Sequence, residues 1–232
     1  MISVCIPTYN GEKYIKEQLD SILCQIGDND EIVISDDSST DSTVAIINEY
    51  NDKRIHLYTN NHYKSPIYNM ENALYHANGE YIFLADQDDI WMGNKVEVML
   101  GYLDKYDCVT SDAIIVDSNL NVICPSFFEI RKCRTGILRN IIKNSYMGCC
   151  MAFRSSLKDK VLPFPKKLPM HDQWIGLNAE KYGKSIFIPE KLIEYRRHGD
   201  NASATGGGSP YSALEKIYFR IMISRSLILK RK

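Results

Sequence analysis

The chain has 232 residues, 44% of them hydrophobic and 25% charged, with 28 Lys and Arg against 29 Asp and Glu for a net charge of −1. This composition excludes a disordered chain, a collagen-like fibre and a multi-span membrane protein, and the even charge balance offers no basic field for nucleic acid. Seven scattered cysteines without a C-x-x-C pair, and an N-terminal apolar run cut short by Pro7 with no basic leader before it, lead to the expectation of a reduced, cytoplasmic protein.

Residues 2–6 form an unbroken β-prone run of the kind buried on both faces. Asn10-Gly11 breaks the chain, after which Ile15, Leu19, Ile22 and Leu23 recur on one helical face. Residues 31–35 predict a second buried strand, and Thr40 or Asp41 is placed to cap a helix with Val44, Ile47 and Tyr50 turned inward. Residues 54–58 alternate as a third strand. Ile67, Met70, Leu74 and Ala77 mark a third helix ended by Asn78-Gly79, where a residue at positive φ is expected. Residues 81–85 predict a fourth strand and residues 95–103 a helix. Such alternation implies βαβ units, hence an α/β fold with a mostly parallel central sheet flanked by helices.

Past residue 107 the rhythm changes to shorter β-like pieces at 108–110, 113–116, 149–153 and 186–188, with helices near 137–143 and 172–182. The Gly- and Ser-rich tract at 204–210 reads as a linker to a last helix from Tyr211.

Three polar turns follow strands: Pro7-Thr8-Tyr9-Asn10, Asp36-Asp37-Ser38-Ser39-Thr40-Asp41 and Asp86-Gln87-Asp88-Asp89. Ligands of an open α/β sheet bind at the carboxyl ends of its strands, so these turns are expected to meet at one edge. Crowded carboxylates repel unless a cation or donors compensate them. Oxygen ligands suit Mg²⁺ or Mn²⁺, which complete their shells with water and substrate phosphates. The residues therefore point to a metal-bridged diphosphate, with neither a P-loop nor a dinucleotide fingerprint in the sequence.

In this order the three turns resemble glycosyltransferase family 2, the inverting GT-A enzymes, across roughly residues 1–110. The resemblance continues through Gly148-Cys149, His171-Asp172-x-Trp174 and Tyr195-Arg196-Arg197-His198-Gly199-x-Asn201, which are similar to a bacterial subgroup of rhamnosyltransferase-like, O-antigen and capsule transferases. It implies a Rossmann-like nucleotide-binding half at 1–110 fused to a smaller acceptor-binding half at 111–205, followed by a tail at 206–232. It implies a nucleotide site at Pro7, Thr8, Tyr9, Asp37 and Asp86, with Asp37 accepting from the N3–H of uracil or thymine. Asp86, Asp88 and His198 would hold Mn²⁺ or Mg²⁺, Asp172 would be the catalytic base, and Gly148, Cys149, His171 and Trp174 would line the acceptor site. Ser38 departs from the glycine common in the second motif, and Gln173 stands where an aromatic is common.

Read on their own, Asp172 is equally a helix N-cap or first-turn acid, Trp174 a core residue, and the two adjacent cysteines packing groups. A Mg²⁺-dependent phosphohydrolase or receiver-like domain, and a non-catalytic sugar- or lipid-binding module, remain as alternatives. The resemblance favours transfer of a sugar from a UDP-hexose or dTDP-rhamnose to a glycan or lipid-linked glycan. From Lys216 onward the tail has six cations and no acid, with Leu214, Ile217, Tyr218, Ile221 and Ile228 on an apolar face. That face is expected either to pack on its own domain or to meet anionic lipid at the inner membrane surface.

Overall fold

The computed structural model describes residues 1–199 and 211–229. The linker tract at 204–210, Asn201 and the last three basic residues, 230–232, lie outside the described residues.

The first half follows the expected alternation: β1 (Ile2–Thr8), α1 (Ile15–Leu23), β2 (Glu31–Asp36), α2 (Thr43–Glu49), β3 (Ile55–Tyr58), α3 (Pro66–His76) and β4 (Tyr81–Leu84). There follow β5 (Ile90–Trp91), α4 (Lys95–Leu103), β6 (Cys108–Val116), β7 (Val122–Cys124), α5 (Phe127–Arg131), α6 (Ile137–Ile142), β8 (Met151–Arg154), α7 (Lys158–Val161), α8 (His171–Tyr182), β9 (Ser185–Arg196) and α9 (Ala213–Leu229). Strand periodicity sends alternate side chains to opposite faces. Val4 and Ile6 of β1 therefore join Ile15, Leu19 and Ile22 of α1 in one core, while Cys5 joins Met70, Ala73 and Leu74 of α3 in the other.

One sheet runs in the order β3-β2-β1-β4-β8-β6-β9-β5, with β7 paired to β6. The parallel pairing expected from sequence holds for β3-β2-β1-β4 and for β6-β9; β8 runs antiparallel to both β4 and β6, and β5 antiparallel to β9. In a flat sheet β4 and β5 would stand about 19 Å apart, four interstrand steps. Only residues 85–89 connect them, and they contain a turn. The sheet therefore curls, and this brings the acidic turn after β4 against the end of β9.

Several local expectations change. The pieces at 108–110 and 113–116 are one strand, β6, whose register against β9 shifts at Asp112. The α2 cap residue is Ser42 rather than Thr40 or Asp41, although Asp41 Oδ1 accepts from the Thr43 N–H at 3.0 Å and so satisfies the helix start. The piece expected at 186–188 is a longer strand, β9, which runs on to Tyr195 and Arg196. Among the described residues β5, β7, α5 and α7 are additions, each too short to leave a periodic signal.

Gly79 does not sit at positive φ; its role is close approach. A Cβ there would lie 2.5 Å from the Ser3 backbone nitrogen and 2.7 Å from the Ile2 carbonyl carbon. The contact is fixed by Ser3 Oγ, which accepts from the Gly79 N–H at 2.6 Å and donates to buried Glu31 at 2.5 Å. Gly79→Ala is expected to destabilise the fold by about 1–3 kcal/mol, the usual cost of overpacking. Gly93→Ala, where nothing lies within 4 Å, leaves stability unchanged. Urea titrations read the difference, and equal midpoints contradict this packing account.

Candidate functional site

The register of the sheet aligns the three polar turns. Thr8 at the end of β1 pairs with Asp36 at the end of β2, and Cys5 of β1 pairs with Leu84 of β4, two residues before Asp86. Hydrogen bonds then knit the turns together. Thr8 Oγ1 donates to Asp36 Oδ2 at 2.8 Å, and Thr40 N–H donates to Asn10 Oδ1 at 2.8 Å. Gln87 accepts from the Tyr9 N–H at 2.9 Å and donates to the Tyr9 carbonyl at 3.1 Å. Gly11 leaves room for that Gln87 side chain, since a Cβ would come within 2.5 Å of its Oε1.

Thr8 and Asp37 are buried, Pro7 and Asp86 half-buried, and Tyr9 exposed. The Asp37 carboxylate accepts from the Tyr63 N–H at 2.6 Å and the Ser65 N–H at 3.2 Å, which fixes its direction. A carboxylate has about four acceptor sites, so capacity remains for a ligand donor. Ser38 adopts φ 63°, in the left-handed region where glycine is free of strain. Its Oγ donates to the Asn61 carbonyl at 2.5 Å, which offsets the strain and anchors the segment after β3.

Negative charge is concentrated at the turn after β4. Burial, together with the charges of Asp88 and Asp172, raises the Asp86 pKa above the ordinary carboxylate range. Asp89 is fully buried and raised well above that range by burial and by Asp88 and Asp86. Asp88 Oδ2 lies 2.8 Å from His198 Nε2, so the structure brings that expected pair together. Ligand-type atoms of Asp86, Asp89 and Cys149 also lie within 4.8 Å of one another. Cys149 is a poor member of a cation site, because its bond to Cys150 and its burial hold the thiol protonated. Carboxylates plus one imidazole fit Mg²⁺ or Mn²⁺, and an excess of carboxylate charge is what a divalent cation relieves.

Asp172, the expected base, occupies the first turn of α8 and is nearly sealed from solvent. Its Oδ1 accepts from the Gln173 N–H at 2.5 Å and from Asn144 Nδ2 at 3.4 Å. Burial outweighs these bonds and the nearby Arg131 charge, raising the carboxyl to about 7. Other acceptor expectations need correction. Trp174 is fully buried and donates its indole N–H to the Val161 carbonyl at 2.9 Å, so it is a core residue and not an acceptor platform. Cys149 is likewise sealed. Gly148 and His171 pack on each other: a Cβ on Gly148 would lie 2.9 Å from His171 Nε2, and burial pushes that imidazole down to about 4.

Two basic residues to which the sequence assigned no role hold this turn. Arg196 is buried; its backbone N–H donates to Asp89 Oδ1 at 3.0 Å, and its guanidinium donates through Nε to the Asp88 carbonyl at 2.9 Å, through Nη1 to the Ser118 carbonyl at 3.2 Å and through Nη2 to Glu17. Lys95 is fully buried, donates to the Cys149 carbonyl at 2.6 Å and carries its charge beside Asp89 and Asp86. The sequence signal for Arg196 was its place in the polar run with His198; Lys95 left none, because a lysine at a helix start reads as solvated.

Residues 3–162 match the model of the family described as glycosyl transferase family 2. The chain is 31% identical over 183 residues to the Escherichia coli UDP-Glc:alpha-D-GlcNAc-diphosphoundecaprenol beta-1,3-glucosyltransferase WfgD, covering 78% of this chain and 70% of that one. It is 26% identical over 225 residues to the putative teichuronic acid biosynthesis glycosyltransferase TuaG of Bacillus subtilis, covering 94% and 86%. The crystal structure of S. aureus TarS 1–349 in complex with UDP-GlcNAc superposes with a TM-score of 0.75 at 23% identity, over 99% of this chain and 69% of that one. That likeness shows the GT-A fold, and the family match spans most of the chain: the protein belongs to glycosyl transferase family 2 and is a glycosyltransferase.

Proposed function

We propose that the enzyme transfers one sugar, with inversion, from a UDP-hexose or dTDP-rhamnose to a hydroxyl of a growing bacterial surface polysaccharide such as an O-antigen or capsule. The observation that carries this reading is a base-type carboxyl at Asp172, raised to about 7, whose charge is felt by Asp86 in the acidic turn. A single displacement needs those two features side by side, a proton acceptor for the attacking hydroxyl and a site for the leaving diphosphate.

In this reading residues 1–110 are the nucleotide half and residues 111–205 the acceptor half. Thr8 and Asp37 hold the nucleoside, Asp37 being aimed by the Tyr63 and Ser65 amides. Asp86, Asp88 and His198 hold Mn²⁺ or Mg²⁺, which when bound supplies Lewis-acid stabilisation to the departing diphosphate. Asp172 removes the proton of the acceptor hydroxyl as it attacks, a role for which a pKa near working pH is favourable. Asn144 and the Gln173 N–H hold one of its oxygens, which orients the other for that transfer. The names of WfgD and TuaG support a lipid-linked or surface-glycan acceptor. A lipid-linked acceptor of the kind named for WfgD would have the enzyme work as a peripheral protein on the inner face of the cell membrane; no helix of the described residues is long and apolar enough to cross a membrane.

Asp172→Asn is expected to lower transfer about 10²–10⁴-fold, the range of general-base contributions, while leaving donor binding intact. Donor titration calorimetry and turnover assays on UDP-glucose and dTDP-rhamnose read both effects; near-normal turnover removes Asp172 from the role. The pH profile follows from the same carboxyl. Asp172 is active when deprotonated, so kcat/KM, which reports the free enzyme, should climb as pH rises through about 7 and then level off. Its neighbours Arg131, Asn144 and the Gly148 N–H oppose the upward shift, and neutral His171 adds no competing charge. A profile flat from pH 5 to 9, on the order of two units either side of that value, contradicts the assignment.

A further inference from the structure

Helix α9 presents its apolar stripe to solvent. Ile223 and Leu227 face the domain and are buried, while the opposite stripe of Leu214, Ile217, Ile221 and Ile228 is 79%, 49%, 54% and 65% exposed. A surface helix ordinarily shows the reverse arrangement. The neighbouring helix α6 repeats the pattern, with Leu138 79% and Ile142 64% exposed. The two helices pack together, and Arg220 Nη2 donates to the Ile142 carbonyl at 2.8 Å, so the exposed stripes belong to one face.

Arg225, four residues after Ile221 on α9, and Lys143, which caps α6, are exposed, while Lys216 and Arg220, seven residues before Ile223 and Leu227, are half-buried toward the domain. Glu215 is the one acid within α6 and α9. In a chain of net charge −1 this is a local positive excess around an apolar centre. A two-fold contact between copies would set the same patch against itself and oppose cation to cation. An anionic bilayer surface satisfies both features, taking the apolar stripe into its interface and drawing the cations to its headgroups.

We propose that α6 and α9 together form a docking face for the interface of an anionic lipid bilayer. The inference deepens the reading of a lipid-linked acceptor and rests on it for its purpose. Gln173, next to the proposed base, donates to the Asn140 carbonyl of α6 at 2.6 Å, so the face and Asp172 are one helix apart. Docking there holds the acceptor half of the cleft near the surface from which a lipid-linked glycan projects.

Vesicle flotation of the full chain tests the proposal without using catalysis. The wild type should float with phosphatidylglycerol vesicles, less so as salt is raised, and remain behind with phosphatidylcholine vesicles. The Ile217→Glu/Ile221→Glu variant should lose at least about tenfold in bound fraction, and Arg225→Glu at least about fivefold. Both variants alter exposed side chains, and their thermal response to UDP and Mn²⁺ should match the wild type. Equal flotation of variants and wild type, or none by the wild type, overturns the proposal. A concentration-dependent dimer in light scattering that the double variant abolishes assigns the face to a second copy and overturns it as well. Flotation by a protein that binds no nucleotide leaves the docking face in place and defeats the catalytic reading instead.

Discussion

Arg196 is the constraint on which the site depends. A carboxylate-rich turn with Asp86, Asp88 and Asp89 within four residues is self-repelling, and Asp89 is fully buried. Removing charge from water costs several kcal/mol per ion after relaxation unless it is paired and hydrogen-bonded. Arg196 eases that cost at the end of β9 through its backbone N–H, which donates to Asp89 Oδ1, while its guanidinium pins the turn by bonding the Asp88 and Ser118 carbonyls and Glu17 of α1, 4.5 Å from the Tyr14 ring centre. Lys95 supplies a second buried cation from the other side. The curl of the sheet, which lays β5 beside β9, is what puts Arg196 within reach. Fold and electrostatics are thus one arrangement: the turn keeps its shape because Arg196 hydrogen-bonds it from behind and the Lys95 charge stands beside Asp86 and Asp89.

The outward charge remains in excess. Asp86 and Asp172 are both raised, each pushed first by burial, and Asp86 further by its carboxylate neighbours. Raised carboxyls gathered in a cleft are a mark of sites poised for a cation or a proton. In the proposed function the two uses are separate. Asp86 and Asp88, the latter 2.8 Å from His198, would hold the metal, whereas Asp172 stands on α8 with Asn144 beside it. A charged donor complex at the first group would alter the proton affinity of the second, which couples donor binding to readiness of the base.

Much of this was legible in the sequence because it is local. The runs at 2–6, 31–35 and 81–85 are buried on both faces and leave an unbroken apolar signal, and the turns that follow them are short and polar. Register then does the rest, since parallel strands that start level also end level. What was not legible is non-local. Nothing in the spacing of Asn78-Gly79 says that the Ser3 backbone passes 2.5 Å away, and nothing around Trp174 says that the Val161 carbonyl receives its indole N–H. Residues 86–89 read as a polar turn at the ligand edge of the sheet, yet their geometry depends on β9, more than a hundred positions later. The chain past residue 107 was read least well because β7, α5 and α7, like β5 before them, are too short for periodicity to register.

The central claim is that the carboxylates at the strand ends form a nucleoside diphosphate site completed by a divalent cation. A thermal-shift panel of UDP, dTDP, GDP and CMP, each with and without Mn²⁺, on wild type and Asp88→Asn tests it most directly, because a ligand selective for the folded state raises its stability. The account predicts a rise in Tm with UDP or dTDP that requires Mn²⁺ and is lost in Asp88→Asn. A shift of equal size without the metal or in the variant, or no shift with any of the four nucleotides, contradicts it.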